Sequence, residues 1–336
     1  MDRPAHPGTR CALRRISVMN ESKINTAAAR SIKENGAGSE KDTGFQNKHF
    51  NRKGRRQERR REIWRAFCKN RAAVIGLIIL SIFVLTAFFA DVIVPYSLAI
   101  TQNAADRLQG PSALHFFGTD KYGRDVFAQI VHGSRRSLSL GIGTTLLSVT
   151  IGGIIGAVCG FYGGKVDTVI MRICDVVMCI PALLFALAVV AALGANMTNL
   201  ILAITVITVP SYVRIIRSVI LSIVEQDYIY AARLCGSGSR TIILRHVLPN
   251  AMGPIIVQAS MNVASMMLTA AGLSFIGMGV QQPTPEWGAM LNEARDFMVN
   301  QPYLLFFPGA AIALCALSLN LVGDGLRDAL DPRLKV

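Results

Sequence analysis

Five stretches of this chain contain no Lys, Arg, Asp or Glu: residues 72–90, 137–164, 176–213, 246–285 and 297–323. Few folds accept such runs. A helix needs about 20 apolar residues to cross the ~30 Å hydrocarbon core of a bilayer, and all five are long enough. The third, at 38 residues, would be roughly 57 Å long as a single helix, nearly twice what a bilayer needs, and reads as two spans. A short turn at Gly194, Ala195, Asn196 and Asn199 separates them. The fourth run opens with Pro249, Asn250, Gly253 and Pro254 and closes in GMGVQQPTP, so its spanning part is residues 255–278. The expected fold is an all-α polytopic membrane protein with six transmembrane helices. A composition of 51% hydrophobic and 17% charged residues excludes an ordinary water-soluble enzyme.

The net charge of +14 does not conflict with this, because it is concentrated ahead of the first span. Residues 1–71 hold 19 Lys/Arg against 7 Asp/Glu, which leaves the other 265 residues close to neutral. That split disfavours a nucleic-acid surface spread over the fold. Lys165 and Arg172 follow span two, and Arg214, Arg217, Arg233, Arg240 and Arg245 follow span four. Three more basic residues end the chain, while the intervening loops carry 5 (offset by 4 Asp), none and 1. The positive-inside rule therefore places both termini and the span four to five loop in the cytoplasm. Residues 1–54 read as a disordered basic tail in which Met19 is a second candidate start, and the long basic stretch does not fit a signal peptide. Residues 55–71, RRQERRREIWRAFCKNR, read as a basic helix at the membrane surface with Trp64 and Phe67 among the headgroups. The rest, 72–336, is the six-span domain.

The spans lack chemistry. Ion-coupled carriers usually hold a carboxylate or His at membrane depth, whereas Asp91, Arg136, Asp175, Arg214 and His246 all fall at span ends. The same lack counts against an intramembrane hydrolase. Gly152, Gly156 and Gly160 form consecutive small-xxx-small spacings, a packing signal. Seven scattered Cys have no CxxC pair and no companion His, so they read as small buried hydrophobes, neither disulfides nor a metal site. No GxxxxGK[ST] occurs; Gly164 and Lys165 come nearest but lack the first Gly and the following hydroxyl. The chain cannot bind and hydrolyse ATP by that route alone, and if it drives transport the motor must be another subunit.

The loop EQDYIYAARLCGSGSRTIILRHVLPN, residues 225–250, reads as a helix over 225–234, a turn at Gly236 and Gly238, and a second helix capped by Ser239 and stopped before Pro249. Two short helices with Arg233, Arg240 and Arg245 at their edges suit a docking surface, or a loop that packs only on its own membrane domain. This loop resembles the EAA loop of ABC importer permeases. Ala231, Ala232, Gly236, Leu248 and Pro249 match at the family spacing, with Tyr230 where the family has Glu and His246 where it has Ile. Three further segments, FGTDKYGRDVFAQIVHGSRRSL, LSFIGMGVQQPTPEWGAMLNEAR and NLVGDGLRDALDP, are similar to the dipeptide/oligopeptide (DppC/OppC-type) branch, and the likeness covers roughly residues 60–336.

The resemblance implies the type I ABC importer permease fold and a permease subunit for dipeptides or oligopeptides. Its partners would be a second homologous permease, two ABC ATPases, an extracytoplasmic substrate-binding protein and the lipid bilayer, with no nucleic acid. Glutathione and nickel permeases share these motifs. A stand-alone secondary carrier or channel is the alternative from another class, and a membrane enzyme ranks behind it. The implied ATPase-coupling residues are Tyr230, Ala231, Ala232, Gly236, Arg240, Arg245, His246, Leu248 and Pro249. Those of the outer face are Gly118, Thr119, Asp120, Gly123, Arg124, Asp125, Pro283, Pro285, Trp287 and Gly288. No cofactor, metal or substrate-binding residue is implied. Read physically, Asp120 would N-cap a short helix, Gly123 would turn the chain, and Arg124 would pair with an acid. Pro283, Pro285 and Trp287 would stiffen a loop and anchor it at the interface. Arg327 and Asp328 would hold the C-terminal segment against the cytoplasmic face.

Overall fold

The computed structural model describes residues 52–330, and among these every regular element is helical. The expected tail falls almost wholly outside the described residues, as do residues 331–336. The unit Arg59–Val336 holds all the spans. Helix α1 (Arg52–Lys69) and helix α2 (Arg71–Phe88) are separated at Asn70. Its side-chain oxygen caps α2 by accepting the Ala73 N–H, and its amide nitrogen donates to Asp328, 3.2 Å away. Asp328 thus ties the end of the last helix to the start of the first span. Phe67 does not lie out among headgroups: it is buried against Ala73 and Ala329, while Trp64, stacked on it at 5.9 Å, stays exposed.

Two short helices, α3 (Ala90–Ile93) and α4 (Tyr96–Ile100), lead through a loop to α5 (Val126–Tyr162). Then come α6 (Gly164–Cys179), α7 (Ala182–Leu193), α8 (Met197–Val224), α9 (Asp227–Leu234) and α10 (Ser239–Ile242). A π-helical turn (Ile243–Val247) joins α10 to α11 (Leu248–Phe275), followed by α12 (Trp287–Ala294) and α13 (Tyr303–Leu330). Five segments are long and apolar enough to cross a membrane singly: α2, α5, α8, Ser239–Phe275 and α13. A sixth straight spanning helix, as expected, is not found among the described residues: α6 and α7 meet the same measure only as a pair bent by 89°. Pro181 causes the bend: the residue before a proline is pushed out of the α region, and Ile180 sits at φ −83°, ψ 130°. Helix α7 alone, with 12 residues, reaches only about 18 Å.

The stretch expected as a loop after span two is therefore helix α6, and its two acids are paired. Asp167 bonds Arg217 at 2.5 Å and Asp175 bonds Arg214 at 2.7 Å, which straps α6 along α8 and leaves Val169, Ile173 and Val176 exposed on the other face. The turn between α7 and α8 falls where expected, with Asn196 capping α8 through the Asn199 N–H at 2.8 Å.

The bundle is held by close helix contacts. On α5, a Cβ added at Gly152, Gly156 or Gly160 would stand 2.6, 2.7 and 2.8 Å from Tyr212, Val213 and Ile220 of α8, so the glycine stripe is what lets these two backbones meet. At Gly76 of α2 the same test meets Leu321 of α13 at 2.6 Å. Of the four described helices with 28 or more residues, α8, α11 and α13 each contain proline, at Pro210, Pro254 and Pro308, and α5 contains none. At 37 residues α5 is about 55 Å long, well beyond the hydrocarbon core.

Candidate functional site

The expected site residues gather at opposite ends of the bundle. At one end, the loop of α9, α10 and the π-helical turn is built from a short sequence in which three apolar residues are turned in. Ile229, Ile242 and Val247 are buried on Tyr212, Ile216 and Ile220 of α8, which fixes the loop to the spans. The other face looks outward. Tyr230, Ala231, Arg240, Arg245 and Pro249 are exposed, as are Leu234 at 89% and Leu244 at 67%, while Ala232 and His246 are half-buried and Leu248 is at its edge. Large exposed apolar side chains beside arginines make a surface suited to a protein partner.

Local backbone chemistry shapes this surface. Helix α9 ends in a Schellman turn: the Gly236 N–H donates to the Arg233 carbonyl at 2.9 Å and the Ser237 N–H to the Ala232 carbonyl at 3.1 Å. Gly236 adopts φ 77°, the left-handed conformation expected for it. Two other expectations fail. Ser239 makes no cap; Gly238 holds the N-cap position without a side-chain bond. Pro249 does not end the second helix but lies in the first turn of α11, where its missing N–H is no loss. The π-helical turn Ile243–Val247 just before it carries the chain straight through from α10 to α11.

At the far end, the sequence GTDKYGRD closes a compact loop. Thr119 and Asp125 form an isolated antiparallel bridge, and Thr119 Oγ1 accepts the Gln109 N–H at 2.9 Å. The Tyr303 hydroxyl lies 2.9 Å from the carbonyls of both Gln109 and Thr119, next to Gly118 at φ 77°. Gly123 has φ 78°, and a Cβ there would fall 1.8 Å from the Asn103 carbonyl, so only glycine fits. Asp120 is not a helix N-cap. Its oxygens accept from the backbone of Tyr122 and Arg124, the Arg124 Nε at 2.6 Å and the Gln129 amide at 2.7 Å, whereas Asp125 caps α5 through the Ala128 N–H. The expected acid partner of Arg124 is in fact two acids. Its guanidinium, 1% exposed, also reaches Glu293 at 2.5 Å and the Gln282 side chain.

The GMGVQQPTPEWG segment locks onto this cluster. The Gln282–Pro283 bond is cis, and Pro285 lines a cavity beside α5. Trp287 is not an interfacial anchor: it is fully buried, edge-on to Phe83 at 5.5 Å, with its ring N–H donated to the Ile130 carbonyl at 3.0 Å. Gly288 packs on the Ala271 backbone, and its N–H with that of Ala289 bonds the Glu286 carboxylate, which caps α12. Burial pushes the Glu286 carboxyl above its ordinary range against the pull of those two N–H groups. Burial also raises that of Glu293, opposed by the Arg124 charge. Sequence reading missed Glu286, Glu293 and Gln282. Glu286 and Glu293, seven residues apart on one helical face, were the available signal.

Residues 152–336 match the family model described as "Binding-protein-dependent transport system inner membrane component", and residues 59–111 match the "N-terminal TM domain of oligopeptide transport permease C". The chain is 44% identical over 275 residues to the dipeptide transport system permease protein DppC of Alkalihalophilus pseudofirmus, covering 82% of this chain and 90% of that one. It is 44% identical over 276 residues to the glutathione transport system permease protein GsiD of Pectobacterium atrosepticum, covering 82% and 91%. With the di/tripeptide transport system permease protein DppC of Pseudomonas aeruginosa the identity is 40% over 280 residues, covering 82% and 92%. With matches of this extent, the chain belongs to the family of binding-protein-dependent transport system inner membrane components, the permeases of ABC importers.

Proposed function

We propose that this chain is the permease subunit of an ATP-driven importer for short peptides and that the loop over residues 225–250 couples it to a partner ATPase. The observation that carries this is the two-sidedness of the loop: Ile229, Ile242 and Val247 anchor it, and Tyr230 and Leu234 are left to a partner. The complete importer would contain a second homologous permease, two ATPases and an extracytoplasmic binding protein. Both termini and the loop lie in the cytoplasm in this reading, which puts the Arg124 cluster outside. ATP binding closes the ATPase pair, the loops move with it, and the path between the permeases changes the side it opens to. The relatives named for dipeptides, di/tripeptides and glutathione support a short peptide as cargo, since glutathione is itself a tripeptide.

Gly236 tests the coupling. Aspartate there forces a left-handed conformation on a side-chain-bearing residue and sets a charge in the docking surface, at a cost of several kcal/mol where it is buried unpaired, on the order of a hundredfold or more in an equilibrium constant. Gly236→Asp is expected to reduce peptide uptake and ATPase co-purification at least tenfold while membrane abundance stays normal. Full uptake by a normally assembled complex would show that coupling runs elsewhere.

A further inference from the structure

Two adjacent arginines near the start of α5 have opposite surroundings. Arg135 is fully engaged: it donates to Asp91 at 2.8 Å, to the Phe88 carbonyl at 3.0 Å and to the Ala87 carbonyl. Arg136 is exposed and has no hydrogen bond or ion pair among the described residues. It stands in the wall of a cavity of about 950 Å³ between α2 and α5, within the size range of small-molecule sites. The charge-free run begins at the next residue, Ser137, so Arg136 marks where water gives way to hydrocarbon.

The same cavity presents acceptors. Asp91 is 62% exposed on its side chain; one oxygen holds Arg135, and the other has no hydrogen bond among the described residues. His132 is 3% exposed and donates from Nε2 to the Val94 carbonyl at 2.8 Å, which leaves Nδ1 facing that second Asp91 oxygen at 3.8 Å. A free guanidinium and a carboxylate oxygen lining one cavity complement the two ends of a zwitterion. A phosphate alone would answer the same arginine and leave the open Asp91 oxygen without a donor.

The cavity also leads somewhere. Ile142 lines both it and a second cavity of about 750 Å³ that continues along α5 against α11 toward the loop, and there the buried Thr145 hydroxyl has no partner. We propose that the first cavity is where the permease receives its peptide, and that Arg136 takes the C-terminal carboxylate. This rests on the reading of the chain as a peptide permease.

The test uses the complete importer in phosphatidylcholine vesicles, with saturating binding protein and either dialanine or dialanine amide, which lacks the carboxylate. The variant-to-wild-type uptake ratio for each peptide cancels the preference of the binding protein. For Arg136→Gln the ratio is expected to be about 0.1 for the free acid and near 1 for the amide, the loss of one charge-assisted hydrogen bond, with Arg136→Lys recovering most of it. Equal ratios for the two peptides overturn the proposal. So does a defect that appears only when phosphatidylglycerol is added, because the arginine then serves the bilayer. Wild-type vesicles that import neither peptide would remove the peptide reading itself, whereas equal ratios in importing vesicles remove only the role of Arg136.

Discussion

Arg124 brings a full positive charge into a place from which water is excluded, and everything around it follows from that. Asp120 and Glu293 supply two negative charges, and Gln129, Gln282 and the backbone of residues 122–124 fill the remaining hydrogen-bonding positions. Such a cluster adds little net stability when complete and costs a great deal when broken, because the remaining ions keep their desolvation penalty. Arg124→Met is expected to destabilise the protein by about 3–5 kcal/mol. The exposed pair Arg295–Asp296 gives the contrast: Arg295→Gln should cost no more than about 1 kcal/mol. Thermal unfolding of both variants in one detergent checks the difference, and equal melting temperatures would show that the cluster is solvated. The motif around Asp120 was legible in the sequence as a place where charge must be paired. Its partners were not, because Glu293 lies 169 residues away and only the fold brings it near.

Among the elements, the contact between α5 and α8 depends on three glycines in a row. At Gly156 an added Cβ meets the Val213 carbonyl oxygen at 2.7 Å, and backbone cannot turn aside as a side chain can. Gly253 on α11 has nothing within 4 Å of the same position. The same change should therefore have opposite effects: Gly156→Ala is expected to lower stability by about 1–3 kcal/mol, and Gly253→Ala to leave it unchanged or raise it slightly. Folded yield and melting temperature in detergent decide, and equal tolerance at the two positions would mean that the helices do not approach as described. The glycine stripe was legible because its four-residue spacing is itself the geometry of one helix face. The bend between α6 and α7 was hidden: the charge-free run was read as uninterrupted from residue 176, although Pro181 lies within it, and the charges of α6 looked like a loop until Arg214 and Arg217 were brought beside Asp167 and Asp175.

For the whole molecule, the helices put the loop with Gly236 at one end and the Lys121 and Glu286 segments at the other, so a single orientation fixes both. Reporter fusions after Lys121 and Glu286 are expected to be active only outside the cell, and a fusion after Gly238 only in the cytoplasm. An external Gly238 would invert the molecule and remove the loop from reach of any ATPase. Five of the six expected spans were readable from sequence because hydrocarbon tolerates so few charges over 30 Å or so. Which sides of the helices face one another was not, since one apolar face looks like another until packed.

The proline-free α5 gives the molecule a mechanical property that its other long helices lack. Without a joint between Val126 and Tyr162, it behaves as a stiff strut about 55 Å long, clasped by α8 near one end and carrying the Arg124 cluster at the other. A displacement imposed where it meets α8 finds no proline hinge in which to be lost before the far end, a stiffness the other long described helices do not share.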